Sequence, residues 1–256
     1  METHVTVATI NLHGRKDRWL ERRHLLVSQL MESGADLISF QEIYSPLREA
    51  DWLCKQINVR LSGSDKGPYR LVQKRYQQTL RGFSGGIGVL SRLPILYSES
   101  VHLGTGGRVA LRAHVELPSH QTMDFVTTQL HDVPYEREAR QDQALKLMSW
   151  LHGHKRVPIQ VIAGDMNEPP DGLAINHIKQ SFRSVYESVY GREPLATFPT
   201  ALIAGAAGIG RCRDYIFVSP AVIKIKKVEI FCDEPASDDN TLYPSSHVGL
   251  LATLQV

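Results

Sequence analysis

The period of the apolar positions changes along this chain, and the changes mark its elements. Residues 5–12, "VTVATINL", alternate and are rich in β-branched side chains, which predicts a strand. Over 17–33 the spacing becomes helical. Trp19, Leu20, Arg23, Leu26, Val27, Leu30 and Met31 recur at that spacing, and Gly34 is a stop signal. "ADLISFQE" (35–42) reads as a second strand, and a helix is predicted over 47–57. From 69 to 130 the pattern is strand-like, with turn signals at Gly85-Gly86, Leu93-Pro94, Gly106-Gly107 and Pro118-Ser119. Asp132 before Pro134 suits a helix start, and Ala144, Leu147, Met148 and Leu151 form the apolar stripe of that helix. "IQVIAGD" (159–165) is a strand, and 171–180 has the length of a short helix. "DYIFVS", "IKIKKVEIF" and "HVGLLATLQV" close the chain as strands. Many strands with helices between them predict two packed sheets flanked by helices.

Polar side chains gather where these strands end. Asn11 lies near the end of the first, and Gln41-Glu42 ends the second. Gln129 and His131 end the strand before the helix at 134. Asp165 and Asn167 follow "IQVIAG". Asp214 opens "DYIFVS", and His247 opens the last strand. Strand ends are where loops expose side chains on a rigid mount. The set is rich in oxygen ligands and has no thiolate, which suits a hard cation such as Mg²⁺ with one imidazole for proton transfer. If the strand stays extended, Asp165 and Asn167 point the same way and reach one ligand together. A hard cation with carboxylates and a base suits attack of water on a phosphate ester.

Composition narrows the class. At 256 residues, 42% hydrophobic and 22% charged, the chain has the make-up of an ordinary globular protein. A net charge of +2 is too small to announce a nucleic-acid binder by field alone. Three cysteines, Cys54, Cys212 and Cys232, with no CxxC, argue against a disulfide framework and a structural zinc site. The first residues lack the make-up of a signal peptide, and no apolar run reaches membrane-spanning length, so a cytoplasmic protein is expected.

"TINL", "QE", "GDMN", "DYIF" and "SSHVGL" occur in the order found in the endonuclease/exonuclease/phosphatase superfamily, and the chain resembles that deoxyribonuclease I-like group from Asn11 to its C-terminus. The resemblance implies a four-layer α/β sandwich with two mixed sheets, formed as a single domain over 1–256 and expected to be monomeric. It implies a phosphodiesterase or phosphatase that uses Mg²⁺ or Mn²⁺. Glu42 matches the principal metal ligand, with Asn11 beside it. Asp165 matches the residue that orients or deprotonates water, and Asn167 the one that holds the phosphate. His247 matches the histidine at the scissile phosphate, and Asp214 the carboxylate that orients its ring.

Two positions depart from the family pattern. Ser246 stands where Asp usually precedes the final histidine, and Gln129 stands where the strand before the helix usually has His. Both are expected at the substrate, with His131 as a partial replacement for the missing imidazole. Arg140 and Gln143 match an "RxxQ" pattern of the following helix, with a packing role equally in view. Two functions follow: an active phosphate-ester hydrolase, or a weakened relative that binds a phosphorylated ligand or a protein partner. In the first, Ser246 and Gln129 are expected to lower the rate. The substrate stays open between nucleic acid, for which "YRLVQKRYQQTLR" (69–81) supplies basic and aromatic residues, and a lipid or inositol-phosphate headgroup. "TALIAGAAGIG" (200–210) is apolar but lacks the Trp or Phe of a membrane anchor.

Overall fold

The computed structural model describes residues 2–64, 67–76, 85–154, 156–203 and 210–256. Two six-stranded sheets pack face to face. The first contains β1 (His4–Asn11), β2 (Leu37–Gln41), β3 (Arg70–Arg75), β4 (Gly86–Ser91), β11 (Lys224–Phe231) and β12 (Gly249–Gln255), in the order β11-β12-β1-β2-β4-β3. The second contains β5 (Ile95–His102), β6 (Val109–Glu116), β7 (Thr122–Gln129), β8 (Ile159–Asp165), β9 (Arg183–Ser184) and β10 (Asp214–Val218), in the order β5-β6-β7-β8-β10-β9. β1 runs parallel to β2 and β7 parallel to β8, while the remaining pairs are antiparallel, so both sheets are mixed.

Alternation explains the layers. Inward residues such as Val7, Leu37, Val89, Phe125, Val161, Ile216 and Leu250 fill the space between the sheets. The opposite faces take helices: α1 (Trp19–Glu32) and α2 (Glu49–Leu61) pack outside the first sheet. α3 (Arg137–His152) and α4 (Leu173–Ile178) cover the second. α5 (Val185–Tyr190), which the sequence pattern missed, contacts β10 and β11. Strands buried on both faces lose their polar alternation, which is why "IQVIAGD" reads as a continuous apolar run.

The stripe predicted for α1 is shifted. Leu20 is 64% exposed, and Arg22 is fully buried in place of a hydrophobic residue. Its guanidinium donates to the carbonyls of Leu12, Gly14, Lys16, Asp17 and Pro244 at 2.6–3.1 Å. Five carbonyls and stacking on Trp19, 5.2 Å to the ring centre, satisfy a charge that periodicity alone would place in water. No helix among the described residues is long and apolar enough to cross a membrane.

Register places the site. In the second sheet Gln129 lies opposite Asp165, and Asp165 opposite Asp214, so three strand ends form one row. In the first sheet Asn11 lies opposite Gln41. A polar seam joins the sheets beneath these rows: Ser39 Oγ donates to the Ala163 carbonyl at 3.1 Å and lies 2.6 Å from Thr127 Oγ1, and Gln41 Nε2 donates to Ser39 Oγ at 2.6 Å.

Candidate active site

Four side chains from the two sheets meet at the centre. Asn11 Nδ2 donates to Glu42 Oε1 at 3.1 Å and to Asp165 Oδ2 at 2.9 Å. Gln129 Nε2 donates to the same two oxygens, each at 3.1 Å. Two neutral amides thus hold two carboxylates that would otherwise repel. The backbone is bent to make this possible. Glu42 has φ 53° and Asn167 φ 49°, left-handed conformations uncommon for side-chain-bearing residues and concentrated at functional sites. Beside them His247 Nδ1 and Asp214 Oδ2 are 2.8 Å apart, both buried.

The electrostatics divide the acids. Burial opposes ionisation of Glu42, but Lys16, the Asn11 hydrogen bond and the charge of His247 outweigh it and hold its carboxyl at about 2. Burial, reinforced by the Asp214 carboxylate, pushes Asp165 above the ordinary range. For His247 burial favours the neutral ring, but Asp214, through charge and hydrogen bond, with Asp165 and Glu42, raises the net value. Asp165, Asp214 and His247 also bring ligand atoms within 4.8 Å of one another. Asp214 and His247 occupy each other through their 2.8 Å contact. Glu42 Oε1 takes both amide N–H groups, which leaves Oε2, 3.4 Å from Lys16 Nζ, as its open oxygen.

Four expected residues, Asn167, His131, Ser246 and His247, sit differently. β8 ends at Asp165, so Asn167 is not the next same-side position of a strand. Its backbone N–H donates to Asp165 Oδ1 at 2.9 Å, and its side chain bonds the Leu130 carbonyl and Arg213. His131 lies beyond the end of β7, not on its face. Its ring stands 2.9 Å from Glu136 against the turn at Gly106, and does not join the central four. Ser246 is fully buried with no partner for its Oγ, while its neighbour Ser245 donates to the Asn11 carbonyl at 2.6 Å. His247 precedes β12 rather than opening it. Arg140 and Gln143 are buried: Arg140 pairs with Glu168, and Gln143 accepts from the His131 N–H at 2.8 Å and donates to the Thr105 carbonyl.

Sequence reasoning missed Arg108, whose only signal was its place after Gly106-Gly107. A cavity of about 910 Å³ opens beside Glu42, lined in part by Arg15, Trp19, Leu20, Tyr44, Leu47 and Arg108. Of the basic stretch at 69–81, Arg70, Lys74 and Arg75 are exposed on β3, and Tyr76 turns inward; Arg81 lies outside the described residues. Most of the apolar stretch at 200–210 also lies outside them.

Comparison with known proteins agrees with the architecture. The catalytic domain of human Nocturnin, solved with a bound sulfate anion, is 16% identical with a TM-score of 0.78, covering 99% of this chain and 93% of that one. A truncated Caenorhabditis elegans TDP2 is 14% identical with a TM-score of 0.77, covering 99% and 98%. D. rerio TDP2, complexed with single strand DNA product, is 19% identical with a TM-score of 0.76, covering 99% of each chain. No curated protein sequence matches the chain. The model of the Endonuclease/Exonuclease/phosphatase family matches residues 8–247, so the chain belongs to that family.

Proposed function

We propose that the protein is a divalent-metal-dependent phosphodiesterase acting on a nucleic-acid-like substrate. The observation that carries this reading is the convergence of Glu42 and Asp165 on the shared donors Asn11 and Gln129, beside the His247–Asp214 pair. Glu42, oriented by the Asn11 amide N–H, would hold a divalent cation, which would supply positive charge to phosphoryl and leaving-group oxygens. Asp165, its carboxyl raised by burial and Asp214, orients the attacking water and takes its proton. The Asn167 amide donates its remaining N–H to a phosphoryl oxygen, while Gln129 Nε2 holds the Glu42 and Asp165 carboxylates in place. Asp214 fixes the His247 ring in the form that offers an N–H and positive charge to the developing anion.

Arg15, against Trp19, and the apolar Leu20, Tyr44 and Leu47 give the cavity beside Glu42 both charge and flat surface. That combination suits a base and its phosphate. It is a recess rather than a protruding apolar hairpin, which disfavours a membrane-lipid headgroup. Relatives bound to sulfate and to single-stranded DNA product support the same class. The alternative, a weakened relative that only binds a phosphorylated ligand, is favoured by the unpartnered Ser246 hydroxyl. A panel assay with Mg²⁺ or Mn²⁺ separates them, using single- and double-stranded DNA, RNA, sphingomyelin, inositol phosphates and an aryl phosphodiester. Hydrolysis of the nucleic acids that is lost in Glu42→Gln and His247→Ala is expected. Binding without turnover on every substrate would establish the alternative.

A further inference from the structure

Gln129 has a constraint at its other end. Its Oε1 accepts from Arg108 Nη1 and from the Tyr76 hydroxyl, each at 2.5 Å. All three residues are buried. Arg108 immediately precedes β6, whose Ala110 pairs with Thr128, so the register delivers the guanidinium to the end of β7. It stacks over the Tyr76 ring, 4.9 Å to the centre, and pairs with Asp132 at 2.8 Å.

Chemistry distinguishes the two ends of this carboxamide. A guanidinium only donates, and an ionised carboxylate only accepts. The oxygen must therefore face Arg108, and the nitrogen must face Glu42 and Asp165. The carboxylates alone would orient the amide while no cation is near. A cation at Glu42 changes that, because an amide oxygen is itself a hard ligand and a free side chain would turn it inward. Two donors on Oε1 prevent the turn and keep both N–H groups on the Glu42 and Asp165 carboxylates.

We propose that Arg108 is a positioning residue that, with Tyr76, locks the Gln129 carboxamide with its donor nitrogen toward the site. The kinetic consequence rests on the phosphodiesterase reading; the lock itself does not.

The test is a double-mutant cycle between Arg108→Met and Gln129→Ala, with two readouts. The first is kcat and KM for bis(p-nitrophenyl) phosphate. The second is Mn²⁺ affinity of the metal-free protein by calorimetry. Arg108→Met is expected to lower kcat about 10-fold with KM nearly unchanged, and to have under about a 2-fold effect in the Q129A background. Loss of the positive charge tightens Mn²⁺ binding in both backgrounds. Release of the carboxamide adds a further tightening of roughly 3-fold only where Gln129 is present. Equal effects in both backgrounds would overturn the proposal, since Arg108 would then act on its own. If the parent hydrolyses no phosphodiester, the functional reading fails and the Mn²⁺ cycle alone decides the lock. If Arg108→Met does not fold, Tyr76→Phe takes its place in the same cycle. A smaller loss is then expected, again absent in the Q129A background, and equal loss in both again overturns the proposal.

Discussion

Gly164 is the residue whose side chain the site cannot accept. A Cβ built on it falls 2.0 Å from the Thr128 carbonyl oxygen, where ordinary contact begins at 3.4 Å. Gly164→Ala must therefore move β7 and β8 apart locally by about 1.4 Å, the difference between those two distances. Both strands are buried and neither can yield outward. Overpacking of this kind costs about 1–3 kcal/mol, with loss of ladder geometry placing this variant at the upper end. Thr128 and Gly164 immediately precede Gln129 and Asp165, which are 3.1 Å apart through the amide. A displacement near 1 Å there breaks that contact, and misplacement on that scale costs about 10²-fold in rate. Urea denaturation should give a lower midpoint with an unchanged slope, and steady-state kinetics should show lower kcat in the fraction that remains folded. A variant within about 0.5 kcal/mol of the parent and within about 2-fold of its kcat would refute the reasoning, because the strands would have absorbed a methyl group without moving the site.

Glu42→Gln should abolish the Mn²⁺-induced rise in melting temperature; in the parent, metal at about 100 times its dissociation constant stabilises by about 2.7 kcal/mol. Glu49 is buried at the start of α2, accepts from the Tyr44 N–H at 2.7 Å, and is raised by burial to about 7. The folded state then holds the proton more tightly than the unfolded chain, so this group's contribution falls as pH rises from about 4.5 to about 7. Glu49→Gln should be more stable than the parent at about pH 8, by up to about 3 kcal/mol, and lose that advantage at about pH 5, as denaturation at the two pH values will show. Ser246→Asp puts a carboxylate in a fully buried position, so the metal-free variant should melt lower and its Mn²⁺-induced shift should exceed the parent's. Gln129→His should lower kcat by about 10-fold, because an imidazole offers at most one acceptor nitrogen where the amide oxygen takes two donors. That reverses the expectation from sequence that restoring the family residue raises the rate; an unchanged or higher kcat would restore it.

Much of the fold was legible because period and burial are coupled. The β-branched alternation of 5–12 became β1, the helical spacing of 17–33 became α1, and the apolar run to Asp165 became β8. The polar residues at strand ends were legible too, since a side chain with no apolar reason to be there stands out in such runs. Short elements were not: α5 spans one and a half turns and carries too few residues for a period to register. Roles that depend on contacts between distant segments were also hidden. Arg22 reads as a surface charge until five carbonyls close around it, and Arg108 reads as a turn residue until register sets it beside Gln129. Asn167 looked like a strand partner of Asp165 until the strand ended at Asp165 and Asn167 itself turned left-handed. The sequence by itself determined which residue types stand at the strand ends, and with them the oxygen-rich chemistry of the site. Only the tertiary structure decided which atoms meet, because hydrogen-bond direction and burial are set by neighbours that can lie 234 positions away, as Asn11 and Ser245 do.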